Sequence, residues 1–241
     1  MDFPDPLIPG RLIKRYKRFL ADVEITAPDG SIREITAHCP NPGAMTGLSE
    51  PDSDVWLSPA RNSKRKLQFT WEIIRVGPQL VGINTAHPNG IAEESIRAGQ
   101  IPELAGYESL RREVRYGENS RIDILLENGN RPPCYVEIKN VHLRRDDAAT
   151  GGVAEFPDSV TTRGAKHLRE LARAVSSGSR AVMLYIVQRN DCDRFRLAGD
   201  IDPAYAAEFR DARRLGVEAI CYACDVSAQS INIARPIPIE T

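Results

Sequence analysis

The sequence predicts an α/β (α+β) protein, in which a small N-terminal β-barrel precedes a larger domain built on a mixed sheet. Short strand-like segments separated by Pro- and Gly-containing turns fill residues 1–84, and no helix-length amphipathic pattern interrupts them. From residue 85 onward, strand patterns alternate with helical ones, which is typical of strand–helix–strand connections. We therefore expect two domains, covering residues 1–84 and 85–241.

The first domain contains five segments with strand-like composition. Five strands fit a barrel of the oligonucleotide/oligosaccharide-binding (OB) type, although periodicity alone does not distinguish small barrels from one another. The segments are 11–26, 32–38, 54–58, 68–76 and 80–83.

Composition narrows the classes of partner. The 241 residues carry a net charge of −1, so any nucleic-acid contact must come from local basic patches. No apolar run is long enough to span a bilayer, and no signal peptide is visible, so we expect a cytoplasmic protein without membrane contact. The five cysteines are irregularly spaced. The pair Cys221 and Cys224 has zinc-like spacing but no second pair, which favours buried free thiols.

Two basic clusters with neighbouring aromatic residues lie in the barrel region. Such clusters suit binding of a single nucleic-acid strand, and the alternative is a solvated surface balanced by nearby acids. The candidate residues are Arg11, Lys14 and Arg15 in the first cluster, beside Tyr16 and Phe19, and Arg61, Lys64, Arg65 and Lys66 in the second. The adjacent pair His38 and Cys39 resembles metal ligands, but no further ligands follow, so we expect a rigid turn that closes the barrel.

The segment from Arg121 to Lys139 carries the clearest chemical pattern. Two alternating strands flank the hairpin signal Asn128-Gly129. Since side chains two apart on a strand share a face, Glu137 and Lys139 project together. Antiparallel pairing would place Asp123 beside Glu137.

Two carboxylates on rigid strands suit Mg²⁺ or Mn²⁺, with the carbonyl of Ile138 as a third oxygen. A metal there would polarise a phosphate, and Lys139 would stabilise the charge that develops on it. Asp123, Glu137 and Lys139 thus form a reasonable set for cleaving phosphodiesters. The alternative is an ordinary solvated strand face.

A helix after Phe156 adds phosphate-binding candidates. Its apolar residues follow the helical period, Thr161 or Thr162 can cap it, and free amides at its start favour a phosphate. Thr161, Arg163 and Lys166 are candidate nucleic-acid contacts, whereas His167 is either catalytic or a surface residue. The preceding loop 144–152 is predicted to be mobile.

The other elements complete a mixed sheet. The continuous apolar run 180–187 indicates a strand buried on both faces, parallel to the strand that carries Glu137. Helices are expected at 91–98 and from Asp202-Pro203 to Gly216, and further strands at 217–224 and 231–234.

Four motifs resemble those of the sugar fermentation stimulation protein A family. They are Cys39-Pro-Asn-Pro-Gly-Ala-Met45, Ser120-Arg-Ile-Asp123, Val136-Glu-Ile-Lys139, and the long segment from Phe156 to Leu168. The resemblance spans nearly the whole chain in the same order. It implies an OB-fold followed by a nuclease-like domain of the PD-(D/E)XK fold, and a protein that binds single- or double-stranded DNA and is linked to sugar metabolism.

The resemblance also assigns roles to residues. The nuclease motif falls on Asp123, Glu137 and Lys139, and the acid that this fold often carries on its first helix falls on Glu94, with Glu93 as the alternative. Arg121, within the second motif, joins the nucleic-acid candidates. Ile124 stands where the family often has Phe.

Three functions remain open at this point. The first is a metal-dependent DNA nuclease, and the second is a DNA-binding regulator of sugar metabolism genes that keeps the nuclease fold without turnover. A sugar-binding protein is the third, although no aromatic platform supports it. The sequence also leaves a homodimer open.

Overall fold

The computed structural model describes residues 1–117, 120–145 and 152–240. The strands are β1 (Ile8–Tyr16), β2 (Leu20–Thr26), β3 (Ile32–His38), β4 (Asp54–Pro59), β5 (Phe69–Val76), β6 (Gln79–Gly82), β7 (Ser109–Tyr116), β8 (Ser120–Asn128), β9 (Arg131–Val141), β10 (Val153–Phe156), β11 (Arg180–Val187), β12 (Arg194–Leu197), β13 (Glu218–Val226), β14 (Ile231–Pro236) and β15 (Ile239–Glu240). The helices are α1 (Pro88–Arg97), α2 (Thr162–Ser176) and α3 (Pro203–Arg214), with a 3₁₀ turn at Pro102–Leu104.

The first five strands close into the expected OB-like barrel. They run in the order β3-β2-β1-β4-β5, and a bridge between His38 of β3 and Thr70 of β5 closes the ring. Strand β6 extends the sheet beyond β5. Buried apolar residues such as Leu12, Val23 and Trp71 fill the interior, because alternate residues of each strand face inward.

The segment predicted as one strand over 11–26 is two strands joined by a tight turn. Tyr16 pairs with Leu20, and Lys17 and Arg18 adopt left-handed φ angles of 48° and 62°. Such turns usually carry Asn or Gly at these positions, so a Lys-Arg pair gave no turn signal.

The second domain has a six-stranded mixed sheet in the order β14-β13-β11-β9-β8-β7. Strands β9 and β11 are parallel and are joined through α2, which confirms the predicted βαβ unit. From Ala181 to Val187, β11 is fully buried, as its apolar run indicated. The short strands β10, β12 and β15 form a separate small sheet that the sequence did not indicate, because strands of two to four residues show no clear alternation.

The positions of the cysteines show whether they are free thiols or metal ligands. All five cysteines are buried free thiols, as expected. Cys221 belongs to the core on the α2 and α3 side of the sheet, whereas Cys224 belongs to the core on the α1 side. Two thiols on opposite faces of one strand cannot bind one metal ion. Cys39 likewise packs inside the barrel, with its sulfur 3.6 Å from that of Met45.

None of the helices in the described parts of the chain is long and apolar enough to cross a membrane. Most of the loop 144–152 that was predicted to be mobile lies outside the described residues.

Candidate active site

Asp123 on β8 and Glu137 on β9 occupy neighbouring positions. The antiparallel register pairs Ile124 with Val136, so Asp123 and Glu137 are the next residues along their strands. Oδ2 of Asp123 accepts a hydrogen bond of 2.7 Å from the backbone N–H of Ile138. The carbonyl of Ile138 points to the same side of β9 as its N–H, because both groups of one residue face the same neighbour. Three oxygen-bearing groups therefore converge where β8 and β9 separate.

Glu137 is the most constrained acid of the site. Only 2% of its surface is exposed. Its Oε1 contacts the Lys139 ammonium at 2.6 Å and also Nδ1 of His167. Burial acts to raise the pKa of Glu137, but Lys139 and His167 outweigh it, so the pKa lies below its usual value and the carboxylate is ionised.

The second oxygen of Glu137 has no such support. Oε2 is buried and has no hydrogen-bond partner among the described residues. A buried, unpaired carboxylate oxygen is costly, so this atom is suited to binding a cation.

The environment of Asp123 leads to the same conclusion. Burial and the negative charge of Glu137 raise the pKa of Asp123, against hydrogen bonds from Ile138 and Asn89. A divalent ion between two crowded carboxylates would remove that repulsion. No three His, Cys, Asp or Glu side chains within residues 1–117, 120–145 and 152–240 form a metal site by themselves. An ion here would thus use two carboxylates, backbone oxygen and water, a donor set that Mg²⁺ accepts.

His167 is buried rather than on the surface, which corrects the surface interpretation. It is 5% exposed and bonds to Glu137 across α2 and β9. Nε of Arg163 lies 3.3 Å from Nε2 of His167. Because a guanidinium can only donate, Nε2 is the acceptor and the imidazole proton resides on Nδ1, where it is donated to Glu137.

The start of α2 lies beside this cluster. Oγ1 of Thr161 accepts from the backbone N–H of Gly164 at 3.2 Å, so Thr161 is the N-cap and its hydroxyl is already engaged. Arg163 and Lys166 are exposed one turn apart on the helix. Arg121 is exposed on β8, where it and Arg115 line a cavity of about 490 Å³.

Three residues of the site were missed by the sequence analysis. Asn89 donates a hydrogen bond of 2.9 Å to Oδ1 of Asp123. Glu170 is 3% exposed, and neither of its oxygens has a hydrogen-bond partner among the described residues. The Lys166 ammonium lies 3.6 Å from Glu170. The hydroxyl of Tyr116 is buried and also lacks a partner within the described part of the chain.

The environment of Tyr116 shows how these acids cluster. Burial, followed by the charges of Glu137, Glu170 and Asp123, raises its pKa. The tyrosine therefore stays neutral among three acids and can only act as a hydrogen-bond donor or acceptor. Nothing in the local sequence of β7 marked Tyr116 as a site residue.

Glu94 does not face the site, which corrects its assignment as the helix acid. It is exposed, and its carboxylate pairs with the N-terminal ammonium of Met1 at 2.8 Å. Since α1 begins at Pro88, Asn89 is the residue that meets Asp123, and a residue five positions later lies roughly 140° around the helix. Glu93, the alternative, shares the Asn89 face but pairs with Arg97 and Arg112.

The barrel's basic candidates have mixed surroundings. Arg15 is a correction, because its guanidinium donates to the carbonyls of Asn41, Gly43 and Ala44 and so holds the loop that follows β3. The other six are exposed, and four of them have local partners. These partners are Asp52 and Asp54 for Arg11, Asp22 for Lys14, Asp5 for Arg61, and Thr70 for Arg65. Lys64 and Lys66 are exposed on the loop between β4 and β5.

The comparisons with known proteins agree with this architecture. The family description "SfsA N-terminal OB domain" matches residues 13–83, and "Sugar fermentation stimulation protein RE domain" matches residues 86–230. Sugar fermentation stimulation protein homologs from Maricaulis maris and Paramagnetospirillum magneticum are 57% and 56% identical over 240 residues. Each alignment covers all of this chain and at least 98% of the relative.

One solved structure matches over the full length. It is described as the structure of Pyrococcus furiosus SfsA in complex with Ca²⁺, and it shares 26% sequence identity with a TM-score of 0.87. The alignment covers 100% of this chain and 98% of that one. The chain therefore belongs to the sugar fermentation stimulation protein A family.

Proposed function

We propose that the protein is a metal-dependent nuclease that hydrolyses phosphodiester bonds in DNA. The observation that carries this proposal is the buried, unpartnered Oε2 of Glu137 beside Asp123 and Lys139. A purely structural ion pair would use both carboxylate oxygens, because leaving one unpaired in the interior is costly. A carboxylate with one unpaired oxygen, near a second acid whose pKa it raises, suits cation binding.

Asp123, Glu137 and the carbonyl of Ile138 would hold Mg²⁺ or Mn²⁺. The chemistry of the donors fits, since all are oxygens on rigid strands. When bound, such an ion would polarise the phosphate and make a nearby water more acidic. The Ca²⁺ named for the Pyrococcus furiosus relative supports a divalent-cation site in the family.

The residues around the two carboxylates would stabilise charge on the phosphate and orient the carboxylates. Lys139 cannot be a metal ligand while protonated, but its ammonium is positioned to stabilise negative charge on the phosphate. His167 and Asn89 orient Glu137 and Asp123 through their hydrogen bonds. This second layer of contacts keeps both carboxylates in one geometry, which an ion requires.

The basic residues around α2 would position the DNA. Arg121, Arg163 and Lys166 are exposed cations, and phosphate contacts of this kind set the position of a strand. Backbone amides at the start of α2, after Thr161, add a neutral anion-binding group. The OB-like barrel would hold the strand on the other side. A DNA substrate and buried free thiols both favour a cytoplasmic setting.

The second candidate is a DNA-binding regulator of sugar metabolism genes that does not cleave. One observation favours it, because Oε1 of Glu137 already contacts both Lys139 and His167. A carboxylate that already accepts hydrogen bonds from two side chains, one of them a cation, can be stable without a metal. The relatives' name, which refers to sugar fermentation, is the other support.

A cleavage assay distinguishes the two. Labelled single- and double-stranded DNA would be incubated with the protein plus Mg²⁺, Mn²⁺ or a chelator. The nuclease proposal expects cleavage that the chelator abolishes and that Glu137→Gln abolishes as well. Tight DNA binding without cleavage under any metal condition would instead support the regulator.

A further inference from the structure

We propose that the cleft between the barrel and the mixed-sheet domain binds one unpaired nucleobase of the strand that enters the candidate active site. This inference rests on the proposed function only in requiring that nucleic acid is the ligand. It does not require that the strand is cleaved.

The cleft is a cavity of about 370 Å³ with walls from both domains. Its size lies within the usual range for small-ligand sites. The barrel contributes the turn between β1 and β2 and the loop after β3, and the second domain contributes the end of β9 and the loop before α2. Its polar lining includes Arg18, Thr85, Asn140, His142, Asp158 and Thr161.

The cleft adjoins the candidate active site along two elements. Asn140 directly follows Lys139 on β9, and Thr161 precedes His167 by six residues on α2. Six helical residues span roughly 9 Å. A stacked strand advances about 3.4 Å per nucleotide. A base in the cleft therefore lies within about three nucleotides of a phosphate at the site.

A chain of hydrogen bonds fixes the orientation of the polar groups. The amide of Gln188 donates to the carbonyl of Asn84 at 3.1 Å and to Oδ1 of Asn140 at 2.6 Å. The Asn140 amide must then donate to Nδ1 of His142, 2.8 Å away. His142 consequently carries its proton on Nε2 and donates it to Oδ2 of Asp158 at 3.3 Å.

Asp158 is left as an ionised acceptor that faces the cavity. Burial acts to raise its pKa, but the hydrogen bonds from His142, Met45 and Ser159 hold the pKa below its usual value. Among the residues that the structure describes, Oδ1 receives only the Ser159 hydroxyl, at 3.2 Å, so it can accept another hydrogen bond. A carboxylate repels phosphate and attracts the N–H groups on the edge of a base. In a duplex the N–H groups of the Watson–Crick edge are already paired, so a carboxylate that binds this edge favours an unpaired base.

The rim of the cleft complements a strand. Arg18 lies at the edge of the cavity in a left-handed conformation, and its carbonyl accepts from Nε of Arg15 at 3.2 Å. Phe19 and Val160 are 47% and 69% exposed. A cation with neighbouring apolar surface suits the phosphate and the face of a nucleotide.

The loop after β3 reaches Asp158 closely. A Cβ at Gly43 would clash with Oδ2 of Asp158, and the backbone N–H of Met45 donates to the same oxygen at 3.3 Å. Only glycine permits this approach. The barrel loop therefore holds the carboxylate in place, which suits a preorganised binding group better than a mobile one.

Binding of a labelled homopolymer tests the inference, because every position of the strand offers the same base to the cleft. A deoxycytidine strand of roughly 16 nucleotides, near the upper site size of an OB fold, would be compared with one whose bases are N4,N4-dimethylcytosine, with chelator present. Loss of the N–H donors should weaken wild-type binding about 3- to 10-fold. Asp158→Asn should remove most of this difference. Asp191→Asn should retain it, since Asp191 is a comparable ion-paired acid outside the cleft.

Each result has a clear reading. Equal wild-type affinity for both strands, or a difference that survives Asp158→Asn, would overturn the subsite while leaving DNA binding intact. A folded protein that binds neither strand would overturn this inference, and the cleavage assay with Mg²⁺ or Mn²⁺ would then decide the proposed function separately. If Asp158→Asn does not fold, Arg18→Ala replaces it, with Lys17→Ala as its control in the same turn. Arg18→Ala should reduce the magnitude of the slope of log K against log salt by about 0.7. An equal reduction of this slope by Arg18→Ala and Lys17→Ala would refute the assignment of Arg18 to the rim.

Discussion

The side-chain amide of Asn89 donates a hydrogen bond of 2.9 Å to Oδ1 of Asp123. This contact joins the first turn of α1 to the strand that carries the first acid of the site. With Ile138 donating to the other oxygen, Asp123 is held from two elements. Each of its oxygens retains a lone pair, so the acid is oriented but still able to bind a cation.

Metal affinity should depend on Asp123 and not on Glu94. We expect Asp123→Ala to lower Mn²⁺ affinity at least 10-fold, because one of two carboxylate ligands is lost, whereas Glu94→Gln should bind like wild type. Isothermal titration calorimetry measures both. Equal Mn²⁺ binding by wild type and Asp123→Ala would refute the metal site.

Lys139 should matter for chemistry more than for binding. In the nuclease proposal, Lys139→Ala lowers cleavage by about 10²-fold, as for the loss of one preorganised charge-stabilising group. Metal and DNA affinities should change little. Single-turnover cleavage rates and fluorescence anisotropy separate the two effects, with Lys17→Ala as a control for loss of an exposed lysine. A variant that cleaves at the wild-type rate would leave Lys139 as a structural partner of Glu137.

The sequence predicted much of this site because the site depends on residues that are close together along the chain. Alternation along β8 and β9, together with the Asn-Gly turn, sets which side chains share a face and which residues oppose each other. Asp123, Glu137 and Lys139 could therefore be placed together before any tertiary contact was known. The parallel pairing of β9 and β11 followed from the helix between them and the apolar run of β11.

The missed features depend on contacts between distant elements. Helical periodicity located α2, but it could not show that His167 and Glu170 face the sheet, since both are polar. In α1, the predicted start at residue 91 rather than Pro88 hid Asn89, and a search for an acid favoured Glu94. A Lys-Arg turn at Lys17 and Arg18 had no compositional signal.

The salt dependence of DNA binding should locate the phosphate contacts. The slope of log K against log salt is negative, and its magnitude decreases by about 0.7–0.9 for each phosphate contact removed. Replacing Arg163 and Lys166 by Ala should therefore flatten the slope by about 1.5. The triple change of Lys64, Arg65 and Lys66 to Ala should flatten it further if the barrel loop touches DNA.

A separate outcome for each cluster keeps this prediction testable. An unchanged slope for the triple variant would mean that the barrel loop is ordinary solvated surface. An unchanged slope for the α2 variant would remove that helix from the DNA path. Arg33→Ala is a suitable control, since Arg33 is exposed on β3 and pairs with Asp29.

Stability at low pH should depend on Glu155, which lies outside the candidate site. Glu155 is 1% exposed and accepts hydrogen bonds from Arg145 and Arg196, each at 2.7 Å. Burial acts to raise its pKa, but the two guanidinium groups outweigh it and hold the pKa below the ordinary value. Because the folded-state pKa is lowered, this stabilisation is complete above the unfolded-state pKa of about 4.3 and is lost as pH falls through the folded-state value.

The variant Glu155→Gln isolates that contribution. At pH 7 we expect it to lower the free energy of unfolding by about 1–3 kcal/mol, since Arg196 loses the counter-charge of Glu155 while Arg145 retains that of Asp200. The deficit should shrink below roughly pH 4, where the wild-type carboxylate also becomes protonated. Urea unfolding at several pH values measures the difference, with the exposed Glu24→Gln on β2 as control. A deficit that stays constant from pH 7 to pH 3 would show that Glu155 acts through packing rather than through its charge.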